Sequence, residues 1–233
     1  MSLTRRALLQ GLLGLSLPCA SYGGADTPER VEIASVENWV RHDVGARGIP
    51  AGWRAYETIG GHPAYDFTVA ENEGHRGLQM RSHGDHSTIA RRLRINLKTT
   101  PLLEWSWKVV QFPAGADVRR RETSDLTGHL FVVWPRQPAV LRSRLIGYVW
   151  DEKIAADSIE TSRKTGTVTF VVVRSGPGEA GKWLTERRNV AEDFRRIYGE
   201  EPEDAGAVAL SIDTNDTRSP AEAFIGPIAF RNA

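Results

Sequence analysis

Residues 103–109, Leu-Glu-Trp-Ser-Trp-Lys-Val, alternate apolar and polar without a break, and this pattern commits the segment to a sheet. Successive side chains of a strand point to opposite faces, so Leu103, Trp105, Trp107 and Val109 share one face, while Glu104, Ser106 and Lys108 share the other. Residues 65–69 alternate in the same way. Residues 130–134, 145–150 and 168–173 are apolar on both faces and predict central strands, covered on both sides. Residues 208–212 and 224–230 read as closing strands. Turns rich in Gly, Pro and Asp separate these short runs, which is the pattern of a sandwich or barrel and not of alternating βαβ units.

A single helix is predicted, over 189–198. Asn189 is its cap, Glu192 stands three residues on as a capping-box partner, and Glu192 with Asp193 suits the positive helix end. Arg195 and Arg196 occupy the last turn, Gly199 stops it and Pro202 follows. One helix of about ten residues among roughly ten strands predicts an all-β, single-domain β-sandwich with one short decorating helix.

Ahead of the sandwich, Arg5-Arg6 precedes a modestly apolar run, residues 7–17, that is shorter than the ~20 residues needed to cross a bilayer. Residues 1–25 therefore read as a twin-arginine signal peptide, with Gly23 and Ala25 as the small residues before a cleavage at Asp26. Ser16 and Pro18 argue against the alternative, lipidation at Cys19. The expectation is a periplasmic or secreted protein with no membrane span after processing. Residues 26–52 are expected as an N-terminal extension and 53–233 as the sandwich. Cleavage would remove Cys19, the only cysteine, and with it any disulfide, thiolate nucleophile or cysteine metal ligand. The leader holds two of the 30 Lys and Arg and none of the 29 Asp and Glu, which leaves a net charge of −1 and no basic footprint for nucleic acid.

Several blocks resemble an uncharacterised bacterial family, domain of unknown function 3047. They are residues 104–109, 146–150, 172–176, 183–190 with 198–200, and 213–217 with 221–226. The resemblance implies export and a jelly-roll fold of the galactose-binding and carbohydrate-binding kind, and it brings no established active site. Such folds host binders, hydrolases and lyases alike.

Tryptophans are the first site candidates, because indole rings stack on the apolar faces of pyranoses. Trp105 and Trp107 alternate with charged residues and read as core, whereas Trp150 and Trp183 stand beside charged neighbours at strand ends. Residues 183–188 carry three consecutive charges, with Trp183, Thr185 and Arg187 pointing one way and Leu184, Glu186 and Arg188 the other. Arg174 ends another apolar strand. Trp150, Trp183, Arg174, Glu186 and Arg187 are thus the expected ligand surface, with a solvated face of Glu–Arg pairs as the bland alternative. For catalysis the natural picks are Glu186, His129, Arg174 and Tyr148, although His129 also reads as a satisfied core histidine.

Residues 213–217, Asp-Thr-Asn-Asp-Thr, are oxygen-rich, so Asp213, Asn215 and Asp216 suit a structural calcium, or an ordinary Asx turn. His83 and His86 could ligate a metal, but residues 82–86 read equally as a Gly-Asp hairpin turn. No motif demands a cofactor, and no nucleophile elbow or phosphate loop is present. The function expected is binding of a saccharide or other small polar ligand. The alternatives are a glycan lyase or hydrolase using Glu186 or His129 with Arg174 or Arg187, and an envelope scaffold that docks a protein partner.

Overall fold

The structure is a computed structural model that describes residues 29–30, 34–56 and 63–233. The signal peptide expected over 1–25 lies outside the described residues. In chain order the strands are β1 (Glu29–Arg30), β2 (Ala34–Glu37), β3 (Arg54–Ala55), β4 (Asp66–Asn72), β5 (His75–His83), β6 (His86–Ile95) and β7 (Leu102–Gln111). There follow β8 (Leu126–Trp134), β9 (Arg144–Asp151), β10 (Ile159–Thr161), β11 (Val168–Ser175), β12 (Leu184–Asn189), β13 (Ala205–Asp213) and β14 (Pro220–Arg231). A single helical turn, α1 (Ala139–Arg142), sits between β8 and β9, and α2 (Val190–Tyr198) follows β12.

These strands make a β-sandwich. One sheet runs β1-β6-β13-β8-β9-β11-β10 with β3 on β6; the other runs β12-β7-β14-β5-β4 with β2 on β14. The predicted closing strands β13 and β14 come last in the chain, yet each lies inside its sheet, paired on both sides. Residues 34–52, expected ahead of the sandwich, add β2 to β14 and bury Trp39, whose indole stacks on Trp53 with centroids 6.0 Å apart. Glu37 pins this segment by accepting from the Asn38 and Trp39 amides at 3.0 Å each and from Trp53 Nε1 at 3.1 Å. Those three donors hold its carboxyl below the usual range against the opposing effect of burial.

The predicted helix forms as α2. The Asn189 side chain accepts the Glu192 amide at 3.2 Å, and Gly199 ends the helix in the left-handed region at φ 70°. Buried Asp193 ties the helix to the sandwich by accepting from Arg188 Nη2 at 2.7 Å and from the Tyr148 hydroxyl at 3.0 Å.

Apolar burial falls into two layers. Between the sheets lie Trp105, Trp107, Tyr148 and Trp150, with Trp105 and Trp107 meeting edge to face at 5.4 Å. Trp105 and Trp107 are core, as their alternation with charged residues predicts. The second layer covers the outer face of the eight-stranded sheet and includes Val118, Leu126, Phe131, Val149, Phe170 and Val172. This second layer is why β8, β9 and β11 are apolar on both faces. Among the described residues no helix is long and apolar enough to cross a membrane.

Candidate functional site

The expected ligand surface is only partly assembled, and what is assembled is buried apart from Arg174. Without an irregularity, Arg174 would share the outer face with Phe170 and Val172. A β-bulge between Val172 and Arg174 puts Arg174 level with Trp150, on the inner side of the sheet. There it pairs with Glu186 and Glu179 and stands 5.9 Å from the Trp150 ring centroid. Glu186 also accepts from Trp107 Nε1 at 3.1 Å, and Trp150 Nε1 donates to the Gly176 carbonyl at 2.8 Å. Trp150 is 1 % exposed and Glu186 9 %. These three residues meet as expected, but as a packed and mutually paired cluster in which Trp150 and Glu186 are buried and only Arg174 keeps exposed surface.

Arg187 and Thr185 point away from that cluster and are exposed, in keeping with the alternation of β12. Trp183 is half-buried on the outer face of the six-stranded sheet. Its ring stacks on His75 at 4.9 Å and its Nε1 lies 3.2 Å from both the carbonyl and the side-chain oxygen of Asn72. Tyr148, a candidate base, is wholly buried between the sheets. Burial, with the neighbouring Asp193 carboxylate, holds its hydroxyl well above the ordinary phenol range, so it is not available as a base.

A different place on the molecule has the form of a site. The outer face of the eight-stranded sheet carries a cleft of about 550 Å³. Cross-strand register builds its base in two rows. One row runs Thr88, Ser211, His129 over β6, β13 and β8. The other runs Ala90, Ala209, Phe131, Gly147, Phe170 over β6, β13, β8, β9 and β11. Small residues keep the second row low. At Gly147 a Cβ would stand 2.7 Å from Phe131 Cε1 and 2.8 Å from Phe170 Cδ1, so glycine is what lets the two phenyl rings approach to 6.2 Å.

The Thr88 and Ser211 end of the polar row is hydrogen-bonded to His86. Thr88 Oγ1 and Ser211 Oγ are 2.7 Å apart, and His86 Nε2 lies 2.9 Å from Thr88 Oγ1 and 3.3 Å from Ser211 Oγ. His129 Nδ1 donates to the Thr127 carbonyl at 2.8 Å, which leaves Nε2 as a lone-pair acceptor. Burial pulls the His129 pKa down to about 4, so at neutral pH the ring is uncharged. It is the satisfied histidine of the bland alternative, but on a face that lines a cleft. Burial raises the Asp213 carboxyl above its ordinary range, partly offset by His86 and Lys164.

The oxygen-rich segment 213–217 borders this cleft and holds an ammonium. Lys164 Nζ lies 2.5 Å from Asp216 Oδ2 and 3.6 Å from Asp213 Oδ2, and it donates to Asn215 Oδ1 at 3.2 Å. The three residues proposed for calcium thus converge on a cation the chain itself supplies. Asp125 shapes the turn by accepting from the Asp216 and Thr217 amides at 3.1 and 2.7 Å. His83 is exposed at the end of β5, and His86 points into the cleft. Gly84, at φ 78°, and Asp85 do not form the expected hairpin turn: β5 and β6 belong to different sheets, so these two residues carry the chain across the sandwich. Among the described residues no group of three or more His, Cys, Asp or Glu is placed to hold a metal ion.

Sequence reasoning singled out His129, His86, Asp213 and Asn215, each for another chemistry. It missed Thr88, Ser211, Lys164, Phe131 and Phe170. Ser211 left one trace, a hydroxyl interrupting an apolar strand, but its neighbours Thr88 and His129 depend on register.

The family model described as a protein of unknown function, DUF3047, matches residues 51–229. No curated protein matches the sequence. Among solved structures, the family 11 carbohydrate-binding module of the Clostridium thermocellum cellulase Lic26A-Cel5E is 10 % identical at a TM-score of 0.43, covering 82 % of this chain and 96 % of that one. TmCBM61 in complex with β-1,4-galactotriose is 9 % identical at 0.39, covering 84 % and 99 %. The CBM22-1 xylan-binding domain from Paenibacillus barcinonensis is 12 % identical at 0.36, covering 88 % and 97 %. Likeness at this level says nothing of what this chain binds.

Proposed function

This chain belongs to the DUF3047 family of unknown function, and we propose that it is an exported binding protein whose cleft on the eight-stranded sheet holds a saccharide. The observation that carries this reading is the pairing of two rows on one sheet face inside a volume of about 550 Å³. Hydroxyl and imidazole groups stand in one row, and the phenyl rings of Phe131 and Phe170 in the next. A saccharide needs that combination, with donors and acceptors for its hydroxyls and apolar contact for its C–H faces.

Retention on a panel of immobilised plant and bacterial polysaccharides tests the reading, with soluble products followed by mass spectrometry. Retention without release is expected. His129→Phe, which removes the free acceptor but keeps an aromatic side chain, should lower retention at least ten-fold, whereas Trp183→Ala on the opposite sheet should leave it intact. The reverse ranking would move the site to the six-stranded sheet. Released oligosaccharide would make the protein an enzyme, and no retention on any glycan would overturn the saccharide reading.

A further inference from the structure

Resting on the saccharide reading, we infer that the cleft is selective for uncharged saccharides and discriminates against those bearing carboxylates. Among the described residues lining it, Lys164 is the only ammonium or guanidinium group, and its charge is already engaged. Asp216 Oδ2 is 2.5 Å from its Nζ and Asp213 Oδ2 is 3.6 Å away, with Asn215 Oδ1 accepting at 3.2 Å. An incoming carboxylate would meet the Asp213 carboxylate and no unspent cation, because Lys164 is held by Asp216 behind the lining. It would lose hydration without gaining an ion pair, which is the costly way to bury a charge. The histidines do not change this balance. His129 is neutral, and His86 is occupied by Thr88 and Ser211, with Asp213 3.9 Å from its Nδ1.

The rest of the polar lining is made of hydroxyls, including Thr88, Ser124, Ser143, Ser162, Thr165 and Ser211. A hydroxyl both donates and accepts and carries no charge, as a sugar hydroxyl does. Such a wall matches neutral polyols and has nothing to offer a uronate that water does not offer better. A protonated amino sugar is disfavoured too, because Lys164 already sits where the acidic turn would receive it.

Each neutral polysaccharide retained in the panel is compared with the same polymer oxidised at its primary hydroxyls to the uronate. The neutral form is expected to bind at least ten-fold more tightly. Equal or tighter binding of the oxidised form would overturn this inference and leave the saccharide reading standing. Binding of neither would overturn both.

Loss of a primary hydroxyl contact could imitate discrimination by charge, and the double variant Asp213→Asn with Asp216→Asn separates the two. It frees Lys164 while preserving side-chain shape, so affinity for the oxidised polymer should rise at least ten-fold in a protein whose melting shows it folded. A folded double variant with no such gain would overturn the assignment of selectivity to the engaged lysine. Should the double variant not fold, Lys164→Gln serves instead. With the cation gone and the charges of Asp213 and Asp216 left uncompensated, discrimination against the oxidised polymer should increase, and an unchanged ratio would overturn the assignment.

Discussion

Glu186 separates a structural role from a functional one most cleanly, because its neighbours make opposite demands in the two cases. Glu186→Ala removes the acceptor of the buried Trp107 indole and one of the two carboxylates paired with Arg174. Breaking a buried ion pair costs about 3–5 kcal/mol, most of it from the charge left behind. Here the Arg174 side chain keeps 27 % exposure and retains Glu179, so the lower end applies, about 3 kcal/mol. A chain of this size loses about 2–4 °C in melting temperature per kcal/mol, which places the expected drop at about 6–12 °C. Glu186→Gln keeps an oxygen for Trp107 but no charge for Arg174 and should lose about half as much. Thermal unfolding by circular dichroism reads the stability. Glycan retention measured well below the new transition should stay within two-fold of the parent protein. If Tm holds within about 2 °C while retention disappears, the side chain meets the ligand and the buried-cluster assignment is wrong.

The lowered pKa of His129 predicts a slope in stability with pH. A histidine unfolds to a pKa near 6.5, so between there and about 4 the unfolded chain binds the extra proton and stability falls as pH falls. The full effect is about 3 kcal/mol, present above pH 6.5 and lost on the way down to 4; denaturant titrations of the parent and of His129→Phe should differ by that slope. Asp213, raised by burial, acts in the opposite sense, and it is the difference between the two proteins that isolates His129. Gly147→Ala should cost about 1–3 kcal/mol by overpacking Phe131 and Phe170 and should weaken glycan retention as the rings shift into the cleft. An unchanged melting temperature together with unchanged retention would refute that role. Asn189→Ala should cost about 1 kcal/mol through the lost cap of α2, read as a drop of about 2–4 °C, with the cleft unaffected.

The sandwich and α2 were legible because each rests on local chemistry. Alternation at 103–109 puts Trp105 and Trp107 in the core whatever they pack against, and Asn189 with Gly199 bounds a helix within a dozen residues. The two-sided apolar strands were legible as covered strands, although what covers their outer face is a set of loops that include Val118 and Ile154. The cleft was not legible, because its polar row is made by register. Thr88, Ser211 and His129 lie far apart in sequence and adjoin only because β13, nearly the last strand, inserts between β6 and β8. Nothing in residues 205–213 says which strands will flank them, since an apolar strand pairs equally well at an edge or at the centre.

The expected surface is arranged differently from the sequence reading for a narrower reason. Trp150, Arg174 and Glu186 were grouped correctly by type and do meet, and alternation along β12 correctly put Glu186 with Leu184 and Arg188 on one side. What alternation could not supply is the side of the sheet on which Arg174 emerges. Counting from Phe170 and Val172 would place it on the outer face, and one extra residue at the bulge turns it inward toward Trp150 and Glu186. A period-two pattern reverses with every inserted residue, so parity carries over only up to the first irregularity. The bulge also keeps this guanidinium off the face that carries the cleft. Had Arg174 kept step with Phe170 and Val172, an unspent cation would stand on the same face as the cleft. By turning inward it spends its charge on Glu186 and Glu179 instead.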